Sequence, residues 1–283
     1  MTLRLRIDLA YEGTDFHGWA RQPGLRTVQG ELEAALSRVF RQDIGTVVAG
    51  RTDAGVHARH QVVHADVPAE TFAALPGRRG SGRTPGEALA HKLRGALGFQ
   101  GAQDLAVLSA APAPEGFDAR FSPLWREYRY RIADAAARPD PLRRRETTPV
   151  RERLDEAAMA QAARELLGLH DFLPFCKPRE GSTTIRTLQR LDVSRQPDTA
   201  IEAVLRADAF CHHMVRSLIG ALIRVGAGRE DVTWPAMLLA RGTRDHPVVV
   251  APAQGLVLER IGYPPDEELA ARAEQTRARR QAP

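Results

Sequence analysis

Two runs of β-branched and small residues, Thr46-Val47-Val48-Ala49 and Gln61-Val62-Val63-His64-Ala65, stand on either side of Gly50-Arg51-Thr52-Asp53-Ala54-Gly55-Val56-His57-Ala58. Such runs favour strands, and Asp followed by Ala-Gly favours a turn. The stretch therefore predicts strand, tight turn, strand, with Asp53 at a strand end. Gly55 lets the backbone reverse at little steric cost. If residues 51 to 53 stay extended, Arg51 and Asp53 share a face, which sets a guanidinium beside a carboxylate. That pairing is a candidate reactive centre, although a short Asp-x-Gly with an arginine nearby is also ordinary turn chemistry with a surface partner.

The rest of the chain alternates strand-like and helix-like segments. Leu3, Leu5, Ile7 and Leu9 interleave with Arg4, Arg6 and Asp8, the period-two pattern of a half-buried strand. Val28, Leu32, Ala35, Leu36 and Val39 have helical spacing, with Thr27 placed as N-cap. Residues Pro76 to Gly86 hold too much glycine, proline and like charge to build a core, and predict a mobile surface loop. Beyond Ala111-Pro112-Ala113-Pro114-Glu115-Gly116, a boundary on composition, Tyr128 to Ile132 reads as a strand. Met159, Ala162, Ala163, Leu166 and Leu167 form a helical stripe that Gly168 is placed to end. Ile201 to Ala207 reads as a strand, and Val215, Leu218, Ile219 and Leu222 mark a helix closing near Gly226. Helices interleaved with strands whose polar faces carry arginines suggest an α+β protein with mostly antiparallel sheet, a pattern that by itself leaves α/β open. The expected division is 1–111 and 112–265, followed by a basic tail, 266–283, with few apolar anchors and therefore frayed or disordered.

With 283 residues, 43% of them hydrophobic and 27% charged, the chain has the material for one large domain or two modest ones. No apolar run approaches the roughly 18 residues that a membrane span needs, and Met1-Thr2-Leu3-Arg4 lacks a signal-peptide pattern, so the expected compartment is the cytoplasm. Cys176 and Cys211 are too few for a Cys-rich zinc module or a disulfide framework and read as reduced packing residues. A net charge of +5 permits an acidic partner such as nucleic acid. Only Lys92 and Lys177 among the 40 basic residues are lysines, and asparagine is absent, as a GC-rich coding sequence would give. Arginine abundance is thus weak evidence for RNA binding, though any arginine lining a cleft is a bidentate phosphate ligand.

Nine residues in a row weigh more than a short motif. Gly50 to Ala58 resembles the signature of the TruA-type tRNA pseudouridine synthase family, and four further blocks follow in that family's order. They are Tyr11-Glu12-Gly13-Thr14-Asp15-Phe16-His17-Gly18-Trp19-Ala20-Arg21-Gln22 with Thr27 to Glu33; Phe117-Asp118-Ala119-Arg120-Phe121-Ser122 running into Arg126-Glu127-Tyr128-Arg129-Tyr130; His170-Asp171-Phe172 to Thr184-Ile185-Arg186; and Phe210-Cys211-His212-His213-Met214-Val215-Arg216.

The resemblance implies two α+β domains with mostly antiparallel sheets joined across a central active-site cleft, working as a homodimer on tRNA, with uridines on the 3′ side of the anticodon stem-loop as targets. It implies isomerisation of uridine to pseudouridine with no cofactor and no metal. Asp53 takes the place of the family's catalytic aspartate and Tyr128 that of its substrate-contacting tyrosine. Arg216 matches the arginine that reaches the aspartate, and Arg51 is the neighbouring cation. A guanidinium at hydrogen-bonding distance favours an ionised carboxylate, the form a nucleophile or base needs. Read without the resemblance, Tyr128 is as well placed to be a core aromatic, because it shares a strand face with Tyr130, and Arg216 reads as an ordinary solvated helix arginine off the apolar stripe. The chain departs from the family pattern at Ala88-Leu89-Ala90-His91-Lys92-Leu93, where relatives carry Ala-Leu-Asn, and its Gly/Arg-rich loop is enlarged.

Two rival readings have different signatures. His57, His60 and His64 with Asp53 and Asp66 resemble a metal cluster by composition; His60 and His64 could share a strand face, but His57 lies in or near the turn and no helical His-x-x-x-His-Glu arrangement supports it. His212 and His213 should project in different directions, one buried and one exposed. A nonenzymatic RNA-binding module would stack bases on exposed aromatics, and at 6% aromatic residues with no run of them the sequence argues against it.

Overall fold

The computed structural model describes residues 1–77, 82–178, 183–244 and 248–277. The chain forms two compact units, one from Met1–Leu124 with Arg260–Arg277 and the other from Trp125–Glu259.

The first unit runs β1 (Thr2–Tyr11), α1 (Val28–Phe40), β2 (Val47–Val48), β3 (His57–Pro68), α2 (Ala69–Ala73), α3 (Pro85–Phe99) and β4 (Leu105–Pro112). β1 lies between β3 and β4 and is antiparallel to both, with Thr2 opposite Pro68 and Tyr11 opposite Ala58 on the β3 side. The predicted alternation holds along β1: Leu5, Ile7 and Leu9 are fully buried, and the charged residues between them are only half-buried. α1 has the predicted stripe, and the Thr27 hydroxyl accepts the Gly30 N–H at 3.2 Å. β2 adds a short antiparallel pairing to β3, so the two strands lead into and out of the Asp53 turn.

The predicted loop at 76–86 is shorter than expected at its end. Thr84 caps α3, taking the Glu87 N–H while the Glu87 carboxylate takes the Thr84 N–H, so Pro85 and Gly86 open a helix. Residues 78–81 of that loop lie outside the described residues.

The second unit runs β5 (Trp125–Ala133), β6 (Thr148–Pro149), α4 (Glu156–Arg164), β7 (Gly168–Asp171), β8 (Ile185–Arg195), β9 (Ile201–Ala207), α5 (Met214–Gly226) and α6 (Trp234–Arg241). β5, β9, β8 and β7 pair in that order, all antiparallel, and β6 adds a short parallel pairing to β5. The class is therefore α+β with largely antiparallel sheet. α4 ends at Arg164, before the predicted stop at Gly168, which instead starts β7. Leu166 still packs into the core, but Leu167 is exposed. Cys176 and Cys211, expected as reduced packing residues, are joined in a disulfide with Cα atoms 5.8 Å apart. The Lys177 N–H, which donates to the His212 carbonyl at 2.8 Å, draws the two segments together.

The strand β10 (Leu256–Gly262) returns the chain to the first unit. The expected frayed tail is instead a helix, α7 (Leu269–Arg277), as far as it is described. Leu269 and Ala273 are buried, the Ser122 hydroxyl donates to the Leu269 carbonyl at 3.1 Å, and Arg277 pairs with Asp118 at 2.9 Å. Two apolar anchors and one ion pair suffice to dock a helix of low intrinsic amphipathicity. Residues 278–283 lie outside the described residues.

Candidate active site

The Asp53 turn owes its shape to its own glycine and to a second loop pressed against it. The Val56 N–H closes on the Asp53 carbonyl at 3.2 Å, and Gly55 in the third position adopts φ +77°, which a side chain would strain. The second loop is residues 12 to 19, between β1 and α1. The Trp19 N–H donates to the Thr52 carbonyl at 3.0 Å, and the Gly55 N–H donates to the Phe16 carbonyl at 3.3 Å. Gly18, at φ +89°, approaches so closely that a Cβ there would lie 2.9 Å from the Thr52 oxygen and 3.1 Å from the Ala54 nitrogen. The segment Tyr11 to Trp19, which the sequence flags only as a matching block, thus forms the wall against which the turn is cast.

A buried polar chain fixes the near side. Gln61 Nε2 donates to the Tyr11 oxygen at 3.2 Å and to the Gly50 carbonyl at 2.8 Å. The tyrosine oxygen also shares a hydrogen bond with Thr52 Oγ1, 2.8 Å away. Burial pushes the Tyr11 phenol up to about 12, so it remains a neutral donor throughout the physiological range. Thr52 is buried and Asp53 half-buried, so the residue before the carboxylate is anchored while the carboxylate itself reaches solvent. Arg51 is exposed, and among the described residues it forms no ion pair.

The second unit carries the other predicted residues. Tyr128 on β5 is buried and meets Phe210 edge to face, with ring centroids 5.1 Å apart. Tyr130 on the same face is the more enclosed of the pair. Its hydroxyl lies 2.8 Å from Thr148 Oγ1 and donates to the Pro252 carbonyl at 2.9 Å, and burial pushes it up to about 12. Arg216, in the first turn of α5, is half-buried. Its Nε donates to the Ala251 carbonyl at 2.7 Å, and its own carbonyl accepts the Ala251 N–H at 3.0 Å, which anchors the side chain at the start of α5. His212 and His213 do not divide into one buried and one exposed ring: both are half-buried, with centroids 4.0 Å apart, because His213 takes a left-handed conformation (φ +70°) just before α5.

The histidines of β3 face different neighbours. His57 and His64 are buried, each accepting a backbone N–H at Nδ1, from Gly13 and Ala119 respectively, both at 2.9 Å. His60 is half-buried, 3.7 Å from Asp8. A groove of about 330 Å³ between α3 and β4, lined by Arg83, Glu87, His91, Arg94 and Ser109 among others, does not include Asp53.

The site is thus a half-buried carboxylate on a turn that two antiparallel strands and a second loop hold in place. The chain belongs to the tRNA pseudouridine synthase family, whose model matches residues 9–122 and 162–264. Among its relatives, the tRNA pseudouridine synthase A of Frankia casuarinae is 53% identical over 282 residues, 99% of this chain and 97% of that protein. The proteins of the same name from Streptomyces avermitilis (50% identical over 285 residues, 99% of this chain, 95% of that one) and Leifsonia xyli (49% over 282 residues, 98% and 97%) are similar along their whole length as well.

Proposed function

We propose that this protein isomerises uridine to pseudouridine in the anticodon stem-loop of tRNA, with Asp53 as the catalytic group. The observation that carries the reading is the nine-residue run around Asp53, set on a turn that two strands and a second loop hold rigid. The reaction breaks the N1–C1′ glycosidic bond, turns the base and forms C5–C1′, and the C5 proton leaves to water. Atoms and electrons balance within the nucleoside, so neither a redox partner nor a nucleotide cofactor is required.

One carboxylate can serve either by bonding covalently to sugar or base, or by removing the 2′ proton. Both routes demand the same thing of Asp53: an ionised oxygen, fixed in position and reached by an extruded base. A target base within an RNA helix must leave the stack, at a cost of a few kcal/mol. Tyr128 is assigned to contact that base, Arg216 to stabilise the ionised carboxylate, and Arg51 to add cationic charge close by. Support for Arg216 comes from the His212-to-Arg216 block and from its anchored position at the start of α5. Arg51 has its exposure, which suits a contact with RNA rather than a structural pairing.

The partner is tRNA, and the working form is a homodimer in the cytoplasm, because one small protein cannot easily hold both the elbow and the anticodon arm of the same tRNA. Full activity in a sedimentation-verified monomer would contradict that part. Among the described residues no helix is long and apolar enough to cross a membrane.

The test uses unmodified tRNA carrying tritium at uridine C5. Release of tritium to water by the wild type and not by Asp53→Ala supports the reading. No release from either, with tRNA still bound, overturns it in favour of a binding module.

A further inference from the structure

The loop of residues 12 to 19 grips the Asp53 turn at two ends. At Thr52 the grip is redundant, combining the Trp19 N–H, the Tyr11 hydroxyl and the close approach of Gly18. Beyond Gly55 the His57 side chain supplies it. His57, the first residue of β3, follows the turn directly, and its Nδ1 accepts the Gly13 N–H at 2.9 Å. Gly13 lies so close to the end of the turn that a Cβ would stand 2.0 Å from the Val56 oxygen. The Gly13 carbonyl in turn accepts the Phe16 N–H at 3.0 Å, and Phe16 holds Gly55. The imidazole therefore closes a loop of contacts running from His57 to Gly13 to Phe16 to Gly55.

We propose that His57 is a positioning residue for the isomerisation: its imidazole, with the proton on Nε2 and Nδ1 accepting from Gly13, fixes the far end of the turn that carries Asp53. This rests on the reading of Asp53 given above. The tautomer follows from geometry, because an Nδ1 that accepts an N–H carries no proton of its own. The Glu12 carboxylate, 3.3 Å from the same nitrogen, is the charged group beside it. The consequence for catalysis is geometric, since a displacement of about 1 Å in a reacting group can cost on the order of 10²-fold in rate.

His64 provides the control within the molecule. It lies on the same strand, is equally buried and accepts a backbone N–H with the same atom at the same distance, but it anchors Ala119 rather than the turn. A purely structural role for buried histidines predicts the same consequences at both sites.

The experiment measures single-turnover tritium release from C5-labelled tRNA, tRNA binding and urea unfolding for wild type, Asp53→Ala, His57→Asn, His57→Gln and His64→Asn. Asparagine keeps an acceptor at the δ position, whereas glutamine moves it one bond outward. The expected result is a rate within about fivefold of wild type for His57→Asn, and a rate lower on the order of 10²-fold for His57→Gln. Binding should stay within about twofold for both variants, and His64→Asn should keep the wild-type rate per folded molecule. Equal rates for the two His57 variants, or equal loss of rate at His57 and His64, would overturn the proposal. If the wild type itself releases no tritium, the reading of Asp53 falls. If the wild type releases it and Asp53→Ala does not, failure of the His57 pattern counts against the positioning role alone.

Discussion

The Asp53 turn and the β5 face of the second unit solve the same problem, holding side chains in one geometry, by opposite means. The contacts described above that hold the turn are uncharged ones, from backbone N–H groups, a tyrosine, a glutamine and glycines at close approach. On the β5 face the fixing is ionic. Arg129 reaches Glu259 at 2.7 Å, Glu146 at 2.8 Å and Glu202 at 3.4 Å; Arg131 takes Glu202 at 2.7 Å as well as Asp198; and Arg195 pairs through both terminal nitrogens with the buried Asp134, at 2.9 and 3.0 Å. Uncharged fixing contacts suit a turn that presents a carboxylate, because they leave that carboxylate to the cations and substrate that serve the reaction. Arg129, Arg131, Arg143, Arg190, Arg195, Arg206, Arg224 and Arg229 of the second unit all pair with acids of the same unit, so a basic composition by itself says little about where RNA binds.

Breaking the ionic region should cost stability and leave the rate alone. Asp134 also accepts the Leu154 and Ala136 N–H groups, at 2.9 and 3.2 Å, and Arg195 holds its carboxyl below the usual range against the cost of burial. Asp134→Ala leaves two amides without their acceptor and takes from Arg195 the buried one of its two acidic partners, Glu156 remaining at 2.9 Å, and should lower unfolding free energy in urea by about 3 kcal/mol with turnover per folded molecule unchanged. A loss of turnover with unfolding unaffected would erase the distinction between the regions.

The neutral region should respond the other way. Gly18→Ala sets a Cβ against the Thr52 carbonyl at a backbone conformation that L side chains rarely adopt. Its stability cost should be about 1–2 kcal/mol, while displacement of Asp53 lowers the tritium-release rate on the order of 10²-fold. Wild-type turnover in this variant would mean that the second loop does not set the position of the carboxylate.

A smaller effect sharpens the comparison through pH. Burial, and then the nearby Arg4, hold His64 below the ordinary histidine value. Its neutral form is the one the fold favours, so its contribution is fully present above the unfolded pKa of about 6.5 and is lost as pH falls below that value, until the folded pKa is reached. The slope is at most about 1.4 kcal/mol per pH unit. Urea unfolding at stepped pH should show this slope in the wild type and a shallower one in His64→Asn.

The sequence exposes what is local. The alternation along β1, the Thr27 cap and stripe of α1, β9 and α5 are all readable because neighbours in sequence decide them. The Thr84 and Glu87 capping box was equally readable, yet α3 hides behind a Gly/Arg-rich loop and carries Gly95 and Gly98 in its own body. α7 escapes because packing against Ser122 and Asp118, far off in sequence, outweighs its weak amphipathicity. At the site, Asp53 stands out through a nine-residue run. The parts played by Tyr11, Gly13, Gly18 and His57 do not, because each depends on two segments about 40 residues apart meeting backbone to backbone, which leaves no periodic trace.

The most direct test of the account is nucleoside analysis of unmodified tRNA after incubation with the wild type or with Asp53→Asn, a variant that keeps the shape of the side chain and removes its charge, with tRNA binding measured alongside. The account predicts pseudouridine from the wild type, none from Asp53→Asn, and equal binding by both. Pseudouridine formed by Asp53→Asn at a comparable rate would contradict the assignment of the reaction to this carboxylate.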